Sequence, residues 1–351
     1  MLQTSQGALF DAYDVAMLDL DGVVYVGRDA VPRAPEHLAA AQRAGMTLAY
    51  VTNNASRPPA AVAEHLRELG LPATDQDVVT SAQAAARLLS EQLPPGSPVF
   101  LVGGLGLEVA LAERGLRAVQ NRDQHPVAVV SGFAGDLRWA TVIAGAILVR
   151  EGLPWVASNT DLTVPTPDGP GPGNGALVEV VARFADREPE VAGKPEPPLF
   201  QETLRRVGGE RPLVVGDRLD TDIEGARRVG YDSLLVLTGV TGAAELVAAA
   251  PQQRPSFVGA DLSALGRRHR APIVAEDGTV TAGPWHARVQ HDALAVSDAP
   301  GDGDPGAVGD LDTWWQVVAV AGWSHLDATG RVADVAGLRV PGSVASDAAP
   351  A

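Results

Sequence analysis

Short apolar runs along the chain alternate with longer segments whose apolar residues have helical spacing. Residues 14–20 ("DVAMLDL") and 46–52 ("MTLAYVT") are near-continuous apolar runs, typical of strands that are buried on both faces. Residues 32–45 and 57–70 follow these runs with helical spacing, and each segment ends at a glycine. The alternation predicts a parallel sheet with helices on its faces.

The same alternation returns near residue 200 after a long interruption. Helices are predicted at 196–208 and 220–230, with strands at 211–217 and 232–239. The interruption has its own strand and helix patterns and ends in the Pro/Gly-rich stretch 166–175 before a short helix. We therefore predict a domain inserted into the first one. The expected boundaries are 1–95 and 192–260 for the core, 96–191 for the insertion and 261–351 for a C-terminal extension.

The extension differs from the rest of the chain in its pattern. Residues 271–283 predict a hairpin around Asp277-Gly278, residues 297–310 a linker or long loop, and residues 312–323 are strongly apolar. Four of the six tryptophans lie beyond residue 260. We expect a small α+β unit that packs a small core, ending in about ten disordered residues.

The amino-acid composition argues against several classes of binding partner and of chemistry. The 351-residue chain has 43 acidic and 27 basic residues and a net charge of −16, which argues against a nucleic-acid or anionic-membrane partner. It has no cysteine, which excludes disulfides and a thiol nucleophile. No signal peptide or membrane span is recognised, so a cytoplasmic protein is expected.

Asp19 and Asp21 raise the first question of chemistry. They lie one residue apart where the first strand should end, and Gly22 follows them. Two unpaired carboxylates there repel each other and lose hydration. The pair is favourable if a cation lies between them or if one of them reacts, although an isolated D-x-D-G also occurs in turns and N-caps.

Three further polar clusters lie at predicted strand ends or helix starts. Thr52, Asn53 and Asn54 form a candidate anion cradle, with a plain polar loop as the alternative. Lys194 lies between Gly193 and Pro195 and can direct one charge at a phosphate, although most single lysines are solvated surface residues.

The last cluster is acidic. Asp217 ends an apolar run, and Asp220 and Asp222 follow it, which is also typical of a helix start. Carboxylates with water and phosphate oxygens are the ligands of Mg²⁺. The four clusters together predict a magnesium-assisted site for a phosphate group.

The combined motifs resemble the haloacid dehalogenase superfamily of phosphotransferases. "DLDGVVY", "VTNN", "GKP" and "GDRLDTDI" are similar to its four motifs in order, and "TNNAS" and "AGKP" resemble subfamily IIA, the NagD-like phosphatases. The resemblance covers about residues 14–260 and implies a Rossmann-like core with an inserted C2-type cap. Residues 261–351 exceed the usual family length and resemble the extended actinobacterial members.

The resemblance also implies roles. Asp19 would attack phosphorus and form an aspartyl-phosphate, and Asp21 would act as general acid and then base. The phosphoryl group would be held by Thr52, Asn53 and Lys194. Mg²⁺ would be bound by Asp19, the main-chain carbonyl of Asp21, and Asp217, with Asp222 assisting.

The sequence says less about the leaving group and the reaction class than about the phosphate site. In the cap, Asn159, Asp161 and Thr163 either read the leaving group or form a structural loop. The expected substrate is a small phosphorylated metabolite, first glycerol 3-phosphate, then phosphoglycolate or another sugar or alcohol phosphate. A phosphotransferase or phosphomutase ranks lower and a non-catalytic metabolite sensor lowest. A homodimer is left open.

Overall fold

The structure is a computed structural model that describes residues 1–166, 169–298 and 311–342. Most of the expected linker at 297–310 and the expected disordered C-terminus lie outside the described residues. Within the described residues, no helix is long and apolar enough to cross a membrane.

Strands make up three main sheets and two small hairpins. In the described part of the chain they are β1 (Val15–Leu18), β2 (Tyr25–Val26), β3 (Asp29–Ala30), β4 (Thr47–Thr52), β5 (Val78–Thr80), β6 (Pro98–Val102), β7 (Arg117–Val119), β8 (Ala128–Ser131), β9 (Trp155–Ala157), β10 (Thr163–Thr166), β11 (Gly169–Pro172), β12 (Glu190–Val191), β13 (Pro212–Gly216), β14 (Asp232–Val236), β15 (Phe257–Gly259), β16 (Ile273–Val274), β17 (Val280–Ala282), β18 (Trp285–Gln290) and β19 (Ala293–Asp298).

Helices connect most of the parallel strands. Those within the described residues are α1 (Leu9–Ala12), α2 (Ala34–Arg43), α3 (Pro59–Glu68), α4 (Ser81–Gln92), α5 (Leu105–Glu113), α6 (Trp139–Arg150), α7 (Asn174–Ala185), α8 (Pro197–Val207), α9 (Glu224–Val229), α10 (Ala243–Val247) and α11 (Leu311–Thr329).

The first sheet is parallel and has the strand order β15-β14-β13-β1-β4-β5. Successive residues of β1 pack on opposite faces, with Ala16 and Leu18 in one apolar cluster and Val15 and Met17 in another. Burial on both faces explains why this strand is a continuous apolar run. The predicted parallel sheet with a Rossmann-like arrangement is confirmed.

The second sheet is also parallel, with the order β12-β9-β8-β6-β7. Part of the Pro/Gly-rich stretch 166–175 belongs to the antiparallel hairpin β10-β11. The helix that was expected to be short is the 12-residue α7. The carboxyl ends of this sheet face the first sheet, since the Asn159 side chain donates to the carbonyl of Asn53 over 2.7 Å. The N–H of Gly106 likewise donates to the carbonyl of Ser56 over 3.1 Å.

The extension contains the antiparallel sheet β16-β17-β18-β19 and α11. The predicted hairpin is present between β16 and β17, with Gly278 at φ +82°. The apolar cluster of the extension is shared with the first sheet. Trp314 and Trp315 on α11 share one apolar cluster with Leu235 and Val258 of the first sheet. The helix is apolar on most of its surface because it packs against both sheets.

This shared core makes the extension a stabilising part of the fold. Trp314→Ala removes a side chain that is only 2% exposed, and we expect a loss of about 3–5 kcal/mol in the free energy of unfolding measured with urea. Ile273→Ala, at a position that is 71% exposed, is the control and should change stability by less than about 0.5 kcal/mol. Equal, small effects would show that α11 does not support the first sheet.

Candidate active site

Three neighbouring strands bring the predicted site residues to one edge. Asp19 follows β1, Thr52 ends β4 and Asp217 follows β13, and these strands are adjacent in the order β13-β1-β4. Because all three are parallel, their carboxyl ends open on the same side of the sheet. The predicted helix at 220–230 begins with a π-helical turn, Leu219–Ile223, which contains Asp222.

Lys194 reaches this edge from the other sheet. It follows β12, so the strand before it belongs to the inserted sheet rather than to the core sheet. Its Nζ donates hydrogen bonds of 2.6 Å to Asp19 Oδ1 and to Asp222 Oδ1, and only 4% of its side chain is exposed. Burial alone lowers the pKa of Lys194, but its ion pairs with both carboxylates raise it, so the ammonium stays charged.

The three carboxylates of Asp19, Asp217 and Asp222 each place one oxygen within 4.8 Å of the others. Burial and the charge of Asp19 raise the pKa of Asp217 and of Asp222, although Lys194 opposes this effect. One lysine does not balance three carboxylates in a buried site. The group therefore has the charge and the donor atoms to hold a divalent cation.

Two of the carboxylates differ in how their oxygens are used. Asp217 Oδ2 accepts from the N–H of Val240 over 2.7 Å, whereas Oδ1 is buried without a hydrogen-bond partner. Both oxygens of Asp222 accept hydrogen bonds, one from Lys194 and one from the N–H of Arg218. An unpaired buried oxygen is costly, so Asp217 is the better candidate for a direct metal ligand and Asp222 for an assisting one.

The side chain of Asp21 is partly exposed to solvent. Partial burial and the nearby charge of Asp19 raise the pKa of Asp21 to about 6, while Arg57 and Lys194 act in the opposite direction. A carboxyl group whose pKa is raised in this way can carry a proton closer to neutral pH than an ordinary aspartate. Its position beside Asp19 suits an acid or base that serves a group bound to Asp19.

The remaining predicted residues differ in their surroundings. Thr52 is buried, and its Oγ1 accepts from the N–H of Asn54 over 3.1 Å. Asn53, Asn159 and Asp161 are joined by hydrogen bonds between core and cap. Thr163, at the start of β10, has an exposed side chain, and no hydrogen bond from its side chain to a site residue is present among the described residues.

Sequence reasoning missed the loop after β14. The N–H of Val240 and the hydroxyl of Thr241 donate to Asp217, and a Cβ on Gly239 would lie 2.0 Å from Asp217 Oδ2. The hydroxyl of Thr238 donates to the carbonyl of Gly22 over 2.5 Å. The only available signal was the run "TGVTG" at another strand end.

Comparison with protein families gives two matches, one that ends within the first part of the cap and one that follows the cap. A model described as haloacid dehalogenase-like hydrolase matches residues 16–117, and a model described as HAD-hydrolase-like matches residues 191–265. The two matches contain all four motifs. They agree with the resemblance found in the sequence.

Characterised relatives support the same family. The chain is 44% identical over 263 residues to the D-glycerol 3-phosphate phosphatase of Mycobacterium tuberculosis, covering 75% of this chain and 74% of that protein. It is 38% identical over 231 residues to the acid sugar phosphatase of Staphylococcus aureus, covering 65% of this chain and 88% of that protein.

Solved structures extend the likeness to the C-terminal part. The glycerol phosphate phosphatase of Mycobacterium tuberculosis in complex with magnesium is 40% identical, with a TM-score of 0.80, and the match covers 92% of this chain and 93% of that one. The p-nitrophenyl phosphatase of Archaeoglobus fulgidus is 28% identical, with a TM-score of 0.67, and covers 72% of this chain and 98% of that one. The chain belongs to the haloacid dehalogenase-like hydrolase family.

Proposed function

We propose that this chain is a Mg²⁺-dependent phosphatase that hydrolyses small phosphorylated metabolites through an aspartyl-phosphate on Asp19. The carrying observation is the convergence of three carboxylates and one buried lysine at the edge of a parallel sheet. This set offers a nucleophile, a cation site and a positive charge for the phosphoryl oxygens. The relatives named as phosphatases support the same reaction class.

The proposed metal ligands are Asp19, Asp217 and the main-chain carbonyl of Asp21, with Asp222 assisting. The unpaired buried Oδ1 of Asp217 supports this assignment, and the magnesium complex of the Mycobacterium tuberculosis relative supports the choice of metal. When bound, Mg²⁺ supplies positive charge that offsets the carboxylates and draws electron density from a phosphoryl oxygen.

The proposed chemistry has two steps on these side chains. In the first, an oxygen of Asp19 bonds to phosphorus while the ester bond breaks, and Asp21 gives its proton to the leaving oxygen. In the second, Asp21 takes a proton from a water whose oxygen attacks phosphorus, which releases inorganic phosphate and restores Asp19. Lys194 and Thr52 hold the phosphoryl oxygens.

Glycerol 3-phosphate is the proposed substrate. The relative at 44% identity is named for it, and the magnesium complex from the same organism matches the chain through most of the extension. Sugar phosphates are the second candidate, because another relative is named an acid sugar phosphatase. Asn159 and Asp161 lie next to Asn53, which supports a part for the cap in reading the leaving group.

We also propose the domain division 1–95 with 192–260, 96–191 and 261–351, which the three main sheets support. The net charge of −16 supports a protein without nucleic-acid or anionic-membrane partners. A cytoplasmic location is proposed because phosphorylated metabolites are made and retained there.

A homodimer formed through the cap is a further part of the proposal. Helices α6 and α7 pack side by side and leave exposed Trp139 (62%), Ile143 (47%), Val180 (49%) and Phe184 (46%). Neighbouring apolar side chains with this exposure favour a contact that removes them from water. A second copy of the same face is the proposed partner, as in twofold dimers.

Separate replacements of Asp19 and Asp21 should distinguish the proposed nucleophile from the proposed general acid. Asp19→Asn should abolish hydrolysis of every phosphomonoester, with Mg²⁺ or with EDTA. Asp21→Asn should slow release of glycerol from glycerol 3-phosphate by about 10²–10⁴-fold and release of nitrophenol from p-nitrophenyl phosphate much less, because nitrophenolate needs little protonation to leave. Single-turnover release of both products is the measurement.

The matched control is Asp220→Asn in the fourth motif, whose side chain is 57% exposed, and it should keep near wild-type rates. Equal losses for both leaving groups in Asp21→Asn would show that Asp21 is not the general acid. Hydrolysis by the Asp19→Asn protein would overturn the proposed function.

Gly22 should be needed for the metal site because of its contact with Asp217. It has φ +82°, and a Cβ there would lie 2.4 Å from Asp217 Oδ2. Gly27 has φ +64°, and a Cβ there would meet no atom within 4 Å, so Gly27→Ala has similar backbone strain without the clash. In calorimetric titration, Gly22→Ala should weaken Mg²⁺ binding by at least about tenfold and Gly27→Ala should not. Equal effects would mean that strain alone is responsible.

The dimer is tested by placing charge on the exposed face. Ile143→Glu should convert a dimer to a monomer in sedimentation velocity, because a carboxylate would be buried in the contact. Ile273→Glu, at a 71% exposed position in the extension, should leave the dimer unchanged. A wild-type monomer at micromolar concentration would contradict this part of the proposal.

A further inference from the structure

Asn53 is the point where the core, the cap and the lysine segment meet. Its Oδ1 accepts from the main-chain N–H of Lys194 over 2.8 Å. Its Nδ2 donates to the main-chain carbonyl of Lys194 over 3.0 Å and to Asp161 Oδ1 over 3.1 Å. One amide group therefore holds both main-chain polar groups of Lys194 and one carboxylate of the cap.

These bonds use the donors of the Asn53 side chain. A primary amide has two N–H groups, and both already have acceptors at Lys194 and Asp161. No side-chain N–H is left for a phosphate oxygen unless one of these bonds breaks. The side chain is therefore suited to orienting Lys194 rather than to binding the phosphoryl group.

Asp161, the cap residue that Asn53 contacts, is itself fixed by hydrogen bonds within the cap. The N–H of Asp161 donates to Asn159 Oδ1 over 3.1 Å, and the carbonyl of Asp161 accepts from the N–H of Gly175 at the start of α7 over 2.8 Å. Asn159 Nδ2 donates back to the carbonyl of Asn53 over 2.7 Å. At Asn53, two hydrogen bonds thus join the core loop to the cap, one in each direction.

Close packing leaves little freedom at the same point. A Cβ on Gly193 would lie 2.6 Å from Asn53 Oδ1 and 2.6 Å from the carbonyl of Ser158. The segment that carries Lys194 is therefore pressed between the core loop and the cap strand end. A displacement of the cap loop would move Asp161 and, through Asn53, the main chain of Lys194.

We propose that Asn53 is a positioning residue that couples the cap, through Asp161, to Lys194, so that Lys194 Nζ lies between Asp19 and Asp222 when the cap is seated. This inference rests on the proposed function because the value of that position lies in holding the nucleophile and the phosphoryl group. It refines the expectation that Asn53 binds phosphate.

An exchange of donor and acceptor tests the coupling. Asn53→Asp keeps an acceptor for the N–H of Lys194. It removes the N–H donors to Asp161 and to the carbonyl of Lys194 and places a negative charge next to both acceptors. We expect kcat/KM for glycerol 3-phosphate to fall about 100-fold. Asp161→Asn keeps the acceptor for Asn53 and should cost less than about fivefold. The double variant Asn53→Asp/Asp161→Asn restores a donor–acceptor pair and should regain about tenfold over Asn53→Asp.

Asn54→Asp is the matched control for added charge in the same loop. The Asn54 Oδ1 atom accepts from the N–H and the hydroxyl of Ser56, and an aspartate keeps both bonds. Whatever Asn54→Asp costs in kcat/KM, Asp161→Asn should not recover that loss, because the side chain of Asn54 bonds to Ser56 and not to Asp161. If Asp161→Asn improves Asn54→Asp as much as Asn53→Asp, the recovery is a general charge effect and the proposal fails.

Stability gives a readout that does not need catalysis. Urea unfolding of the same variants without Mg²⁺ or substrate should show Asp161→Asn stabilising the Asn53→Asp protein but not the wild type. Additive effects in both stability and kcat/KM would overturn the coupling. If Asn53→Asp does not fold, Asn53→Ser and the double variant Asn53→Ser/Asp161→Asn replace it. Asp161→Asn should then change the stability of the Asn53→Ser protein little, because the hydrogen bond from Asn53 to Asp161 is already lost.

A wild-type protein that hydrolyses no phosphomonoester would instead contradict the proposed function. The coupling between Asn53 and Asp161 would still be decided by the unfolding measurements.

Discussion

The dominant interaction in the site is the electrostatic repulsion among three closely spaced carboxylates. One lysine, paired with two of them, offsets part of it. Asp19, Asp217 and Asp222 place oxygens within 4.8 Å of one another, and Lys194 pairs with the first and the last. Burial strengthens both the repulsion and the attraction because the local dielectric constant is low. The arrangement is unfavourable by itself and becomes favourable when a divalent cation completes the charge balance.

Much of the surrounding structure serves to hold these charges in place. Parallel strands bring Asp19 and Asp217 to one edge, and the loop after β14 fixes Asp217 through the N–H of Val240. Lys194 arrives from the cap sheet, so the position of its charge depends on how the cap is seated. Helix α11 packs against β15 and shares an apolar cluster with Leu235 of β14, so it stabilises the sheet that carries the aspartates.

The sequence predicted the features that neighbouring residues in the chain determine, such as buried strands and the turns at their ends. β1, β4 and β13 were found because burial on both faces requires continuous apolar residues. The polar residues at their ends each had a structural alternative, and only their combination at several strand ends indicated a site. The alanine-rich helix α4 was missed although its apolar spacing is comparable with that of α2 and α3. Nor could the pattern show that Lys194 follows a cap strand, that Asn53 uses its amide to hold Lys194 and Asp161, or that α11 shares its core with the first sheet. These are tertiary contacts between residues far apart in the chain.

The stability of Asp217→Asn with and without Mg²⁺ tests the charge balance most directly. Asparagine keeps an acceptor for Val240 and replaces the unpaired Oδ1 with an N–H donor, so it removes one repelling charge. Without metal, urea unfolding should show the variant to be more stable than the wild type by about 1 kcal/mol. Mg²⁺ should stabilise the wild type and leave the variant nearly unchanged. A variant that is less stable without metal, or that gains as much from Mg²⁺ as the wild type, would contradict the account.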